Sequence, residues 1–261
     1  MDVLLKTQML SNAAFFHQAE RCRALIAEGA DVNARGAAGE TPLHACWDRW
    51  ITEHVSEAAL VATLTVLLDS GADPDIRNAN SYRPLDIVCM RGMPLRECEL
   101  LLRAGSDVNG RDDGGRTALH RCWRVDVCRE LIRWNADVNA VADDGNTPLH
   151  DAAEWNNRGV CQTLVDAGAQ LEVENGRAKT ALDLAANAGV AEVLIKAGAD
   201  ACRGDMKWRN LARRCRVPLV ELFARRTMPL PRGHGISTAS FEALGDDVLR
   251  TIGRMALDDH R

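Results

Sequence analysis

Apolar residues recur along the chain in short bursts of helical period, separated by polar turns. Leu60, Leu64, Leu67 and Leu68 share one face of a helix, and Val190, Val193 and Leu194 form a shorter burst before Gly198. Residues 1–28 read as two helices, the second running from about Phe16 to Glu28 and closed by Gly29. Between such bursts lies a turn followed by a helix start. In Asp144-Gly145-Asn146-Thr147-Pro148-Leu149-His150, the Asp-Gly pair takes the positive dihedrals of a tight turn. Thr147 can cap the helix with its hydroxyl. Pro148 follows at the first helical position, where its missing N–H costs nothing. Leu149 points inward, and Gly168 closes the second helix of the unit with a left-handed residue.

A helix pair of this size cannot bury its own apolar face and needs copies of itself. Thr41-Pro42-Leu43-His44 repeats the start, Thr117-Ala118-Leu119-His120 and Thr180-Ala181-Leu182-Asp183 keep its threonine and leucine, and Arg83-Pro84-Leu85-Asp86 is a more distant copy. The unit ends recur at Gly29, Gly71, Gly105, Asn135, Gly168 and Gly198, three of them as Gly-Ala-Asp and the others one residue away from it, spaced 42, 34, 30, 33 and 30 residues apart. These residues resemble ankyrin repeats, whose period is about 33. The resemblance covers residues 1–200 and implies an all-α solenoid of about six helix pairs with hairpin loops on one side. The first unit is expected to expose a polar outer face, having no neighbour there. Unit three is the least regular: Asn78-Ala79-Asn80-Ser81 replaces the Asp-Gly turn and Arg83 stands where threonine would cap, which predicts a weaker helix start.

Composition sharpens this reading. The chain is 46% hydrophobic but only 4% aromatic, as small-residue helix pairs require. Nine cysteines, an odd number without paired spacing, read as reduced core thiols. The longest apolar run, Ala58 to Leu68, falls short of the roughly 20 residues that span a bilayer. With no basic-then-apolar leader pattern, a soluble intracellular protein without membrane association is expected. Charge is uneven: residues 1–200 carry 30 Asp/Glu against 20 Lys/Arg, and residues 201–261 carry 7 against 12. An acidic solenoid is therefore followed by a basic tail. Its arginines, from Arg203 to Arg232, alternate with apolar residues and little aromatic interleaving, which favours a solvated face over nucleic-acid binding.

Candidate chemistry is sparse. His44, His120 and His150 fall at the helix-start position, where the resemblance implies hydrogen bonds between repeats. His120, Cys122 and Cys128 are close in sequence but lack the four spaced ligands usual for zinc. The sequence has no phosphate loop, nucleophile triad or paired-carboxylate cleft, so an enzyme, cofactor or metal is not expected. Trp47 and Trp50, three apart, share a helix face; Trp47 is expected to pack against the next unit, and Trp50 to contact a partner. Trp123 follows Cys122 as Trp47 follows Cys46, at a position usually small, and needs space there. Repeat geometry places Asp113, Arg116, Arg124, Asp144, Asn146, Glu154 and Trp155 at the turns and first helices of units four and five, as target-binding positions.

The tail, residues 201–261, divides at Met228-Pro229-Leu230-Pro231. Beyond it, Phe241, Leu244, Val248, Ile252 and Met255 step by 3, 4, 4 and 3 and so share one helix face. Leu244-Gly245-Asp246-Asp247-Val248-Leu249-Arg250-Thr251-Ile252 resembles the start of an F-box. Together with uneven ankyrin-like repeats, it resembles the ankyrin/PRANC proteins of poxviruses. That resemblance implies a monomeric adaptor in the cytoplasm of a host cell, the nucleus remaining open. Phe241, Leu244, Val248, Leu249, Ile252 and Met255 would hold the Skp subunit of a cullin–RING ubiquitin ligase, while the repeats hold a host protein. Two alternatives stand: a plain ankyrin scaffold whose last helix caps the solenoid, or a SOCS-box-like elongin B/C adaptor, from the Leu211 to Leu219 spacing.

Overall fold

The structure, a computed structural model, describes residues 3–36, 38–47 and 56–200. Trp50 and the predicted tail, with Phe241, Leu244, Val248, Leu249, Ile252 and Met255, lie outside the described residues. Within them the chain is helical, as the repeat pattern predicts. Six first helices alternate with six second helices: α1 (Val3–Phe15) and α2 (Ala19–Ala27), α3 (Pro42–Ala45) and α4 (Glu57–Asp69), α5 (Pro84–Met90) and α6 (Leu95–Arg103), a 3-10 turn (Ala118–Arg121) and α7 (Val125–Arg133), α8 (Pro148–Glu154) and α9 (Arg158–Asp166), α10 (Ala181–Leu184) and α11 (Ala188–Lys196). Second helices stack on second helices from α2 through α11, and the first helices of units three to six stack on one another. The inward leucines Leu43, Leu85, Leu119, Leu149 and Leu182 are buried in a core that runs the length of the stack. Among the described residues no helix is long and apolar enough to cross a membrane.

The first helices of units two to six each start in a capping box. In units two, four and five the threonine hydroxyl donates to histidine Nδ1 at 2.8, 3.0 and 2.8 Å, and the threonine N–H donates to the same nitrogen. The other ring nitrogen meets a carbonyl of the next unit: His44 with Tyr82 O at 3.1 Å, His120 with Asn146 O at 3.1 Å and His150 with Lys179 O at 3.0 Å. A carbonyl only accepts, so Nε2 carries the proton and the rings are neutral. Burial holds His120 down to about 4 and lowers His150 as well.

Unit three departs from expectation. Arg83 does not weaken its helix start, because Asp86 replaces histidine there and the pair forms a buried bidentate ion pair, with Nε and Nη2 each 3.1 Å from the carboxylate. The guanidinium also donates to Asp107 O at 2.8 Å and Gly110 O at 2.5 Å. One side chain thus caps its own helix and bonds the next hairpin, the two tasks histidine performs elsewhere. The tips form a ladder as well: Arg35 donates to Arg77 O at 2.5 Å, Arg77 to Arg111 O, and Arg111 to Val141 O at 2.8 Å. Unit ends turn through left-handed residues, Gly168 at φ +88° and, where the sequence has asparagine, Asn135 at +63°. The outer face of α1 is mixed where a polar one is expected: Gln8 and Asn12 are exposed, and so is half of Leu5.

Candidate functional site

Repeat length sets the shape of the inner surface. The 34- and 33-residue units have seven-residue first helices, α5 and α8, whereas both 30-residue units have four-residue ones. The missing residues remove about one helical turn. In unit four the helix stops at Arg121 and Cys122 is extended, with φ −79° and ψ 121°. Trp123 therefore swings outward, 47% exposed, where it lies parallel to Trp155 with ring centroids 4.9 Å apart and planes 7° from parallel. Trp47 stands at the same offset from its threonine, but Cys46 is helical and Trp47 is fully buried, as expected for a residue packed within the stack.

Beside this aromatic pair lies a charged cluster. Arg116 bridges Asp144 at 2.6 Å and Asp151 at 3.3 Å across two units. The two carboxyls respond in opposite directions. Burial would raise Asp144, but the Asn146 N–H and the Arg116 guanidinium outweigh it and hold Asp144 below the usual carboxylate range. Asp151 is buried and is pushed up by that burial despite the same arginine. Asn146 is not a surface residue, contrary to expectation. Only 6% exposed, it donates to Asp151 at 2.8 Å and accepts from Asn175 at 2.7 Å, so its amide is spent on joining the two hairpins.

The remaining positions are accessible. Asp113 is exposed and accepts from Arg77 at 3.3 Å and from Ser81. Arg124 is half-exposed and clasps Asp126 at 2.7 and 3.0 Å. Glu154 is exposed, lines a recess of about 120 Å³ with Arg116, Asp144 and Arg177, and precedes Trp155 at the end of α8. A second recess, of about 300 Å³, opens between the tips of units three and four, where Arg121 lies 4.7 Å over the Tyr82 ring and pairs with Asp112. Glu154, Trp155, Arg116 and Asp144 thus share one face, while Asp113 sits at the neighbouring tip.

Sequence reasoning missed Trp123 and Asp151. The two indoles stand at different offsets from their threonines, six and eight residues, and only the shortened helix of unit four brings them level. Asp151 follows His150 in the motif, and its pairing with Arg116 spans 35 residues.

The other reactive groups are structural. Seven free cysteines, Cys22, Cys46, Cys89, Cys98, Cys122, Cys128 and Cys161, are buried. Burial pushes the Cys22 thiol up to about 11 and Cys161 to about 12, so both stay protonated. Glu97 is fully buried with neither oxygen hydrogen-bonded, which raises its carboxyl; Glu57 and Arg124 are the charges that act on it. Among the described residues no group of three His, Cys, Asp or Glu side chains converges to hold a metal ion.

Comparison with known proteins accords with this architecture. The family model "Ankyrin repeats (3 copies)" matches residues 54–142 and 124–205. The E3 ubiquitin-protein ligase KEG of Arabidopsis thaliana is 37% identical over 103 residues, which is 39% of this chain but 6% of that protein. The protein fem-1 homolog A-like of Mus musculus is 34% identical over 88 residues, 32% of this chain and 13% of its own length. The chain thus spans only a small part of these curated relatives. A crystal structure of an ankyrin repeat domain from Acinetobacter baumannii AYE superposes with a TM-score of 0.61 at 23% identity, covering 73% of this chain and 97% of that one. With its turn-capped helix pairs, its inter-repeat histidine bonds and a family match over more than half its length, the chain belongs to the ankyrin-repeat family.

Proposed function

We propose that this ankyrin-repeat protein is a substrate-recruiting adaptor, non-enzymatic, acting in the cytoplasm of a host cell. Ankyrin repeats are protein–protein interaction modules, and the inner face of units four and five is the part that captures the target. The observation that carries this half is the exposed Trp123–Trp155 stack beside the Arg116–Asp144–Asp151 cluster, since aromatic and charged side chains on a rigid scaffold are what binding hot spots use. The second half assigns Phe241, Leu244, Val248, Leu249, Ile252 and Met255 to docking the Skp subunit of a cullin–RING ubiquitin ligase. It is supported by the apolar stripe in the sequence and by a relative whose name is E3 ubiquitin-protein ligase.

Co-purification tests it. The Skp subunit should come down with the full chain and be lost with the double variant Leu244→Asp/Ile252→Asp. Equal recovery with both chains defeats the ligase half and leaves a plain capture module; recovery of elongin B/C instead points to the Leu211 to Leu219 segment.

A further inference from the structure

We propose that the Trp123–Trp155 stack, together with the acidic rim of Asp143, Asp144 and Glu154, is a docking site for a basic, arginine-bearing peptide segment of a partner protein. This deepens the target-capture half of the proposed function and is independent of its ligase half.

Charge is the first argument. Residues 141–200 hold ten Asp/Glu against four Lys/Arg, whereas residues 1–140 hold twenty against sixteen. The negative charge is therefore concentrated in units five and six, which carry Trp155 and the rim residues Asp143, Asp144 and Glu154, while Trp123 reaches across from unit four. Three cations near the indoles are already committed, Arg124 to Asp126, Arg116 to Asp144 and Asp151, and Arg158 to Glu192 at 3.8 Å, while Arg177, which lines the recess with Glu154, makes no ion pair with it. Asp143 and Glu154, by contrast, are exposed and have no ion-pair partner among the described residues. A cationic partner would neutralise them, and a phosphate backbone would be repelled.

Ring chemistry is the second. In the stack each indole covers one face of the other, and Trp123, 47% exposed, keeps ring surface open to solvent among charged groups. A planar guanidinium stacks on such a surface better than a compact ammonium does. Distance is the third. Between the turn and Trp155 the seven residues of α8 alone rise about 10 Å, so a peptide touching both must span at least about three extended residues. One arginine on the indoles and a second basic residue at the Asp143–Asp144 turn fit that span.

The test uses the full chain and a fluorescein-labelled nonapeptide of alternating arginine and glycine, followed by anisotropy at about 0.15 M salt, near physiological ionic strength. Saturable binding is expected, several-fold weaker when lysine replaces arginine and absent when glutamate does. Trp123→Ala, Trp155→Ala and Glu154→Gln should each weaken it by about fivefold or more while keeping the wild-type melting temperature. Trp134→Ala, which removes a 41%-exposed indole at the end of α7, should leave it unchanged. The inference is overturned by no saturable binding of the arginine peptide, by equal affinity for the glutamate peptide, or by an equal loss with Trp134→Ala. Unchanged binding to the Leu244→Asp/Ile252→Asp chain is also expected, and a loss there would place the site on the tail and overturn it too. Failure of Skp recovery leaves this result untouched.

Discussion

Mild acid should destabilise the solenoid through its inter-repeat histidines, well before the carboxylate ion pairs titrate. His120 is 1% exposed, bonds Asn146 O through Nε2 and takes two donors on Nδ1. A second ring proton would displace those donors. Its folded pKa is about 4, against about 6.5 in an unfolded chain. The unfolded state therefore binds the proton first, and stability present above pH 6.5 is lost as the pH falls toward 4. For these two values the loss is about 2 kcal/mol by pH 5 and about 3 kcal/mol once the pH is below both. His150, lowered by the same burial, adds to it, while Asp151 and Glu97, raised by burial, oppose it by taking up protons in the folded state. Asp112 and Asp144 are held low and contribute their loss only below the unfolded carboxylate range. From pH 6.5 to 5 the histidines thus act against the raised Asp151 and Glu97 alone, and the His120→Gln comparison separates His120 from both. Urea unfolding followed by far-UV circular dichroism at pH 7, 6 and 5 should show a falling midpoint, and His120→Gln should remove about 2 kcal/mol of the drop between pH 7 and 5. A His120→Gln chain whose midpoint changes between pH 7 and 5 as the wild type's does would refute the reasoning.

Asp86→Ala should cost about 3–5 kcal/mol, because it leaves the Arg83 guanidinium buried without its carboxylate, and the double change Arg83→Thr/Asp86→His, which installs the pair used by other units, should restore most of that in urea unfolding. Gly145→Ala should lower stability by about 1–3 kcal/mol: φ is +79°, and a Cβ there would come within 2.5 Å of the Gly176 nitrogen in the adjoining tip, a loss readable as a lower melting temperature.

The repeated Thr-Pro-Leu-His starts and Gly-Ala-Asp ends were enough to specify a helical solenoid, its six-unit count and its inward leucines. Each of these follows from local propensity and from the need of one small helix pair for another. The histidine bonds were equally legible, because a residue that recurs at one motif position meets the same carbonyl in every unit. What sequence could not supply depended on contacts between units. Arg83 looked like a missing cap, and only the stack brings Asp86 and the Asp107 and Gly110 carbonyls around it. Asn146 looked like a tip residue, and the neighbouring hairpin buries it. Above all, Cys46-Trp47 and Cys122-Trp123 are the same dipeptide at the same offset, yet one tryptophan is core and the other surface. Neither residue decides that outcome. It is decided by the backbone just after two first helices of equal length: Cys46 continues the helical turn at φ −57° and ψ −26°, whereas Cys122 is extended and leaves Trp123 level with the indole of the next unit.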